Sequence, residues 1–168
     1  MQTLRIKNPR RFECVTNVAF VACCKTKLDH PAPAKDLYQS SLFTLTRRYV
    51  EREIQKSSFH GWFILSALHG VVEPDQVLEP YDVSLASMNK KGREEWSVTV
   101  LKQINHIWKR PEWNRFTVFA GMFYCNPFYS FNQCKFPCSS LGIGERLAFL
   151  KSSLGEIKEK KLEQTLLF

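Results

Sequence analysis

Acidic side chains that could take part in catalysis are concentrated in the middle of the chain. The segment Leu68–Asp82 contains four of them, at Glu73, Asp75, Glu79 and Asp82. A carboxylate beside a reacting centre can activate water or stabilise developing positive charge. Asp75 follows a proline and is typical of a turn residue. We therefore expect Glu79 or Asp82 to be the catalytic group of this segment.

Charged residues of both signs are clustered in a second segment, Cys24–Tyr38. Lys25 and Lys27 precede Asp29, and two prolines restrict the backbone that follows. This arrangement predicts a rigid loop that presents its lysines to phosphate and Asp29 to a reacting centre. The alternative is a solvated connection in which these charges have no further role.

A third segment, Met122–Pro137, is rich in aromatic side chains, namely Phe123, Tyr124, Phe128, Tyr129, Phe131 and Phe136. Aromatic rings near basic residues can stack on nucleobases, but the favoured interpretation is that they cover one end of the core. Gly142 and Gly144 follow at the predicted start of a helix. Backbone N–H groups there can bind phosphate, although glycine also simply permits a tight turn.

Apolar runs in front of these three segments predict buried strands at Val15–Cys23, Trp62–Ala67 and Phe116–Gly121. The runs are continuous rather than alternating, which is typical of strands covered on both faces. Helical spacing predicts helices from Ser40 or Ser41 to about Gln55, from Asn89 to Lys109, from Ile143 to about Leu154, and over 156–168. The alternation predicts an α/β fold, a compact three-layer domain with a central, mostly parallel sheet.

Each polar segment follows one of the predicted strands, and this places all three at the same end of the sheet. In open parallel sheets, ligands bind outside the carboxyl ends of the strands. The segments are also longer than the roughly 2–6 residues usual for loops in α/β units. We therefore expect them to converge and form the functional site.

The overall composition favours a polyanionic partner. The 168 residues include 24 Lys and Arg against 16 Asp and Glu, a net charge of +8 at pH 7. The length predicts a single domain over 1–168, with a core over about 14–154 and a helical tail at 155–168. Neither a membrane span of about 18 apolar residues nor a secretory signal is recognisable, so we expect a cytoplasmic protein.

The six cysteines are expected to be reduced and structural. Cys134 and Cys138 are the pair nearest to zinc-ligand spacing, with Cys125 as a possible third ligand and no histidine close by. We therefore predict neither a metal nor a cofactor. The sequence also lacks a Walker A motif, HExxH and GxSxG, which argues against P-loop NTPases, standard zincins and serine hydrolases.

Three stretches carry a family resemblance: CCKTKLDHPAPAKDLYQSSLF, WFILSALHGVVEPDQVLEPYD and LGIGERLAFL. Together they resemble a family of short bacterial and phage proteins of unknown function. The middle stretch also resembles the YaaA family of DNA-binding oxidative-stress proteins and segments of archaeosine synthases. The resemblance runs from about Val15 to Leu150. It departs from YaaA proteins at Asp82, where those tend to carry arginine, and from uracil-DNA glycosylases at Asp29-His30-Pro31, which replaces Asp-Pro-Tyr.

The resemblance implies a fold similar to the uracil-DNA glycosylase superfamily and an activity in anti-phage defence. One similar protein is a phage-defence DNA glycosylase that excises α-glucosyl-5-hydroxymethylcytosine and leaves abasic sites. Such an enzyme must flip its target nucleotide out of the duplex. The partner would be phage DNA, with no membrane involved and a monomer favoured. The alternatives are a non-catalytic YaaA-like DNA-binding protein and a nucleoside- or nucleotide-processing enzyme.

Under this interpretation the side chains take the following roles. Asp29 is the first candidate for catalysis, followed by Asp82 and Glu79. The substrate would be contacted by Tyr38, Ser66, His69, Tyr81, Phe123 and Asn126. The DNA backbone would be contacted by Lys25, Lys27, Lys90, Lys91 and Arg93, with Arg10, Arg11, Arg47 and Arg48 as further candidates.

Overall fold

The computed structural model describes residues 16–109, 111 and 114–155. In chain order the elements are β1 (Asn17–Ala22), β2 (Ala32–Pro33), α1 (Ala34–Leu37), α2 (Ser41–Gln55), β3 (Gly61–Ser66), β4 (Gly70–Val72), β5 (Val77–Leu78), α3 (Lys90–Ile107), β6 (Arg115–Phe119), α4 (Met122–Cys125), a 3-10 helix (Asn126–Ser130), β7 (Cys134–Lys135) and α5 (Ile143–Leu154). The predicted tail helix, Arg10, Arg11 and Cys14 lie outside the described residues.

The central sheet has five strands in the order β4-β3-β1-β6-β7. β1 pairs in parallel with both β3 and β6, and β6 pairs in parallel with β7. Only β4 at one edge runs antiparallel, against β3. The register places Phe20 of β1 between Phe63 and Val118. The predicted α/β fold with a mostly parallel sheet is confirmed, and β2 and β5 form a separate small antiparallel pair.

The two faces of the sheet are covered by different helices. Val18 and Phe20 of β1 belong to a buried cluster that includes Val100 of α3. The alternate residues Ala19 and Val21 belong to a second cluster that includes Val50 of α2. Because both faces are buried, the strand sequences are apolar without alternation. The structure therefore has the predicted three layers.

The three predicted strands are present but shifted or shortened. β1 ends at Ala22 rather than Cys23, β3 ends at Ser66 rather than Ala67, and β6 ends at Phe119 rather than Gly121. The predicted residues beyond β3 and β6 lie outside the strands, whereas the Cys23 amide still donates to the Leu65 carbonyl at 2.9 Å. At two of these ends, the first residues beyond the strand, Cys23 and Ala120–Gly121, line the cavity described below.

The expectation that the three polar segments are plain loops was wrong. Cys24–Tyr38 contains β2 and α1, Leu68–Asp82 contains β4 and β5, and Met122–Pro137 contains α4, the 3-10 helix and β7. These elements have two to five residues each, too few to show a recognisable period in the sequence. The segments are therefore folded parts of the domain.

Specific contacts fix the ends of the longer elements. The Ser40 hydroxyl accepts a hydrogen bond from the Phe43 amide at 3.1 Å and caps α2, as predicted. Gly70, at the turn into β4, has φ +72°, and a Cβ there would lie 2.1 Å from the Gln103 side-chain oxygen. That oxygen accepts the Val71 amide at 2.7 Å, which ties β4 to α3. Within the described residues, no helix combines the length and apolar character needed to cross a membrane.

Candidate functional site

A cavity of about 370 Å³ opens between the carboxyl ends of β1 and β6. From β1 the chain moves to β3 on one side of the sheet, and after β4 it returns through α3 to β6 on the other side of β1. From β1 the chain crosses to β3, whereas from β6 it crosses to β7 at the opposite edge, so the connections leaving these two neighbouring strands run in opposite directions. Such a switch point is where open α/β sheets bind ligands.

The walls of the cavity are mainly apolar and aromatic. Rings come from Phe43 of α2, Phe119 of β6, and Phe123 and Tyr124 of α4. Among the described residues that line it, Arg146 of α5 is the only charged one. Ligand pockets in proteins typically measure about 300–1,000 Å³ and combine apolar walls with few polar groups. This cavity has the size and composition for one small planar ligand.

The polar part of the wall connects the ends of β1 and β3 to α4. The Cys23 sulfur lies 3.3 Å from the Tyr124 hydroxyl and accepts the Ala67 amide at 3.4 Å. The Tyr124 ring lies edge-on to Trp96, with centroids 5.4 Å apart. Trp96 in turn donates to the Ser66 carbonyl at 2.9 Å. Burial raises the pKa of Tyr124 well above its ordinary value, so its hydroxyl stays protonated at neutral pH.

Three hydroxyl groups form a chain at the end of β3. The Tyr81 hydroxyl lies 2.7 Å from that of Ser66 and 2.8 Å from that of Tyr38. The Lys27 ammonium lies 4.2 Å from the centroid of the Tyr81 ring, within cation–π distance. Burial raises the pKa of Tyr38 to about 12 and also raises that of Tyr81. The cluster joins the first two polar segments to the sheet.

The predicted substrate-binding residues differ in their position relative to the cavity. Phe123 lines the cavity, as a substrate contact would. Tyr38 and Ser66 are 1% and 0% exposed and do not line the cavity, so they are structural residues and do not face a ligand.

The remaining predicted substrate contacts, Tyr81, His69 and Asn126, are not part of the cavity lining. His69 is half-buried with its ring edge-on to Tyr81 at 5.4 Å, and burial lowers its pKa. Asn126 is exposed at the start of the 3-10 helix. Neither residue lines the cavity.

The three candidate carboxylates are all exposed, and none of them lines the cavity. The Asp29 side chain is 98% exposed and contacts His30 at 2.8 Å, a hydrogen bond that lowers the pKa of Asp29. Asp82 precedes the cavity-lining Ser84 by two residues. Asp75 lies in a turn, as predicted, and its carboxylate pairs with Lys35 at 2.6 Å. The structure therefore does not bring Asp29, Glu79 and Asp82 together in the cavity.

The predicted DNA-binding residues differ in their solvent exposure and in their contacts within the protein. Lys25, Lys90 and Lys91 are exposed, and the two helix lysines have only long contacts, 3.9 Å each, to Glu94 and Glu95. The Arg93 guanidinium lies 4.5 Å from the ring centroid of Phe123 and donates to the Met88 carbonyl. Arg93 therefore lies beside the cavity wall, whereas Lys90 and Lys91 are open to solvent.

Two other basic candidates are already engaged within the protein. Besides its contact with Tyr81, Lys27 donates to the Cys24 carbonyl at 3.1 Å. Arg47 donates to Asp36 at 2.6 Å and to Glu51 at 2.9 Å. Both side chains hold the fold together around α1 and α2.

Arg146 is the functional candidate that sequence reasoning missed. Its Nε donates to the Leu141 carbonyl at 2.7 Å, and its two terminal nitrogens face the backbone at Gly121. At Gly142, where the sequence left phosphate binding and a tight turn as alternatives, the Glu145 carboxylate accepts the backbone amide at 2.7 Å. Arg146 lies in the LGIGERLAFL stretch, so a basic residue in the first turn of α5 was the available signal.

The cysteines of the described chain are free thiols. Burial raises the pKa of Cys125 to about 11 and that of Cys134 to about 12, so both remain protonated at neutral pH. The part of the chain that the structure describes contains no group of three or more His, Cys, Asp or Glu side chains placed to hold a metal ion. Cys134 and Cys138 therefore show no zinc-ligand set there.

Comparison with known proteins gives one match. No curated protein and no solved structure matches the chain significantly. One protein family, described as a family of unknown function (DUF6884), matches residues 18–152. That range covers most of the chain, including the lining of the cavity and all of the central sheet except Asn17, the first residue of β1. The chain therefore belongs to the DUF6884 family.

Proposed function

We propose that this protein is a DNA glycosylase that takes an α-glucosylated hydroxymethylcytosine from phage DNA and leaves an abasic site, as part of anti-phage defence. The observation that carries the proposal is the aromatic-walled cavity between the ends of β1 and β6. We also propose that the fold is of the uracil-DNA-glycosylase-like type. The three-layer architecture with a parallel centre supports this assignment.

The size of the cavity suits a single nucleotide. At about 370 Å³ it can enclose a base with an attached sugar but not a stacked duplex. A base bound there must have left the helix, which is how enzymes reach bases for chemistry. Rings such as Phe123 and Tyr124 provide surfaces for the flat face of the base. A nucleotide flipped from DNA fits these features.

The mouth of the cavity has side chains suited to distorted DNA. Met122 and Ile143 line the cavity and are nevertheless 64% and 69% exposed. Apolar side chains of this kind can insert between base steps and replace an extruded base. Arg93 lies against Phe123, and Lys90 and Lys91 precede it on α3, where they can contact phosphates.

Asp82 is the carboxylate that we place first in the reaction. Breaking the N-glycosidic bond develops positive charge on the sugar, which a carboxylate can stabilise. Asp82 lies two residues before Ser84 of the cavity wall, whereas Asp29 lies five residues after Cys24. Both side chains are exposed. DNA bound over the cavity mouth would bring one of them to the sugar.

One observation favours a second candidate function, DNA binding without catalysis. The described residues that line the cavity include no Asp or Glu. A glycosylase needs a group that activates water or stabilises the sugar cation. A protein that only holds an extruded nucleotide would not need one. The two functions differ in whether abasic sites are formed.

The experiment uses phage DNA containing α-glucosyl-hydroxymethylcytosine and unmodified DNA of the same sequence. After incubation with the protein, an abasic-site endonuclease converts excision into strand breaks. We expect breaks in the modified DNA only. Binding of both DNAs without breaks in either would favour the non-catalytic function.

Variants assign the catalytic carboxylate. Asp82→Asn is expected to reduce excision at least 100-fold with DNA binding retained, since general acid–base groups contribute about 10²–10⁴-fold. Asp29→Asn tests the second candidate in the same assay. Asp75→Asn is the matched control, because Asp75 is an exposed carboxylate in the same segment as Asp82. Wild-type excision by both Asp82→Asn and Asp29→Asn would contradict the assignment.

A further inference from the structure

We propose that Arg146 and Gly121 form a phosphate-binding subsite, so that the cavity binds a nucleoside monophosphate unit through both its base and its phosphate. A free nucleotide and a nucleotide within a DNA strand share this chemistry. The inference deepens the proposed function and rests on it only for DNA as the source of the nucleotide.

The first support is the state of the Arg146 guanidinium. Its Nε is fixed by the Leu141 carbonyl at 2.7 Å, which sets the orientation of the group. Within the described residues no carboxylate pairs with Arg146, whereas Arg47 and Arg52 both contact acidic side chains. A fixed cation in a cavity wall that has no counter-ion among the described residues is suited to an anionic ligand.

The second support is the space in front of that guanidinium. A Cβ at Gly121 would lie 3.6 Å from each of the two terminal nitrogens of Arg146. A side chain at this position would therefore contact both nitrogens at once. Glycine leaves them accessible from the cavity. Two parallel N–H donors match a pair of phosphate oxygens, the geometry in which arginine binds phosphate most strongly.

Glu145 does not compete for Arg146 in this arrangement. Its carboxylate accepts the Gly142 amide at 2.7 Å and caps the start of α5. The Gly142 amide is therefore already bonded within the protein. The anion site depends on the arginine side chain and not on the helix terminus.

The rest of the cavity determines what the anion is attached to. Phe43, Phe119, Phe123 and Tyr124 supply aromatic surface, and no acidic residue is among the described lining. A positively charged ligand would find no counter-ion there, and a purely apolar one would leave Arg146 unpaired, which costs free energy. A planar base joined to one phosphate satisfies both parts of the cavity.

The test measures binding by calorimetry, with deoxycytidine monophosphate and deoxycytidine as free ligands and a short single-stranded oligonucleotide as the DNA arm. We expect the wild-type protein to bind the monophosphate at least tenfold more tightly than the nucleoside. Arg146→Gln is expected to remove this difference, and Gly121→Ala to reduce it. Lys151→Gln is the matched control, because it removes one positive charge from the same helix at an exposed position outside the cavity.

The outcomes separate the two sources of ligand. If the free nucleotide does not bind but Arg146→Gln weakens the oligonucleotide at least tenfold more than Lys151→Gln does, the phosphate belongs to a DNA strand. The proposal is wrong if Arg146→Gln binds the monophosphate and the oligonucleotide as tightly as the wild type does. It is also wrong if the wild type binds neither of these two ligands. Circular dichroism confirms that each variant is folded. Because binding requires no bond cleavage, the subsite can stand while the glycosylase activity fails, and the reverse.

Discussion

The hydroxyl group of Tyr81 lies 2.7 Å from that of Ser66, and this contact attaches the segment after β5 to the carboxyl end of β3. Ser66 also accepts the amides of Leu68 and His69, at 3.3 and 3.0 Å, so one buried hydroxyl organises the turn that follows the strand. Tyr81 and Tyr38 therefore stabilise the packing around the end of β3, and substitutions can test this structural role.

Replacing Tyr81 with Phe removes the hydroxyl that contacts both Ser66 and Tyr38. We expect Tyr81→Phe to lower the free energy of unfolding by about 1–2 kcal/mol, because buried polar groups lose a hydrogen-bond partner. Urea denaturation measures the change. The control is Tyr129→Phe on the 58% exposed Tyr129, expected to stay within about 0.5 kcal/mol. Equal effects of the two substitutions would contradict the role of the hydroxyl chain.

High pH should destabilise the protein through its buried tyrosines. Burial raises the pKa of Tyr38 to about 12 and raises those of Tyr81 and Tyr124, whereas an unfolded tyrosine titrates near about 10. The folded state therefore holds these protons more tightly above pH 10. The stabilising contribution is complete below about pH 10, and the part that comes from Tyr38 is lost as the pH rises through about 12.

Urea denaturation at several pH values checks this dependence. The free energy of unfolding should fall steadily above about pH 10, and phenolate absorbance of the folded protein should lag behind that of the unfolded protein. If the phenolate titrations of the folded and unfolded protein coincide, the burial of these hydroxyl groups is not as described.

Two neighbouring lysines should behave differently. Lys27 is engaged with the Tyr81 ring and the Cys24 carbonyl, whereas Lys25 is exposed. We expect Lys27→Met to lower the free energy of unfolding by about 1 kcal/mol, with little effect on DNA affinity beyond the loss of stability. We expect Lys25→Met to leave stability unchanged and to reduce the slope of log affinity against log salt by about 1.

Fluorescence anisotropy of labelled DNA across a salt series measures the slope, and urea denaturation measures stability. Each lysine variant serves as the control for the other, since both remove one positive charge from the same segment. A reduced salt slope for Lys27→Met with unchanged stability would mean that Lys27 contacts phosphate instead.

The exposed apolar residues at the cavity mouth should be needed for extrusion of the base from duplex DNA. We expect Ile143→Ser and Met122→Ala each to reduce excision from duplex by about tenfold, equivalent to about 1.4 kcal/mol. Excision from single-stranded DNA should change less, because no stacked partner strand has to be replaced. The control is Val98→Ser on α3, which removes a 49% exposed apolar side chain away from the cavity. Equal losses on duplex and single strands would argue against insertion between bases.

The longer elements could be predicted from the sequence because their burial leaves a clear pattern. β1, β3 and β6 are covered on both faces and therefore appear as uninterrupted apolar runs, and Ser40 marks the start of α2. β4 and β7 have three and two residues, and so short a strand carries no period of its own. The position of β4 depends on tertiary contacts such as the hydrogen bond from the Val71 amide to the Gln103 side chain.

The position of the candidate site was predictable, but most of its lining was not. Placing polar segments at the ends of parallel strands indicates the edge of the sheet where the cavity lies and one of its lining residues, Phe123. Arg146 was missed because it enters the cavity from α5, which does not directly follow any of the three predicted strands. Asp29, Tyr38 and Ser66 were chosen for their chemistry, and whether such a side chain faces a ligand depends on burial that sequence spacing does not encode.

The most direct test of the proposed activity is mass spectrometry of the small molecules released from phage DNA containing α-glucosyl-hydroxymethylcytosine. The account predicts that the wild-type protein releases the free glucosylated base, one for each abasic site formed, and releases no base from unmodified DNA. DNA that is bound by the protein but yields no free base from either substrate would contradict it.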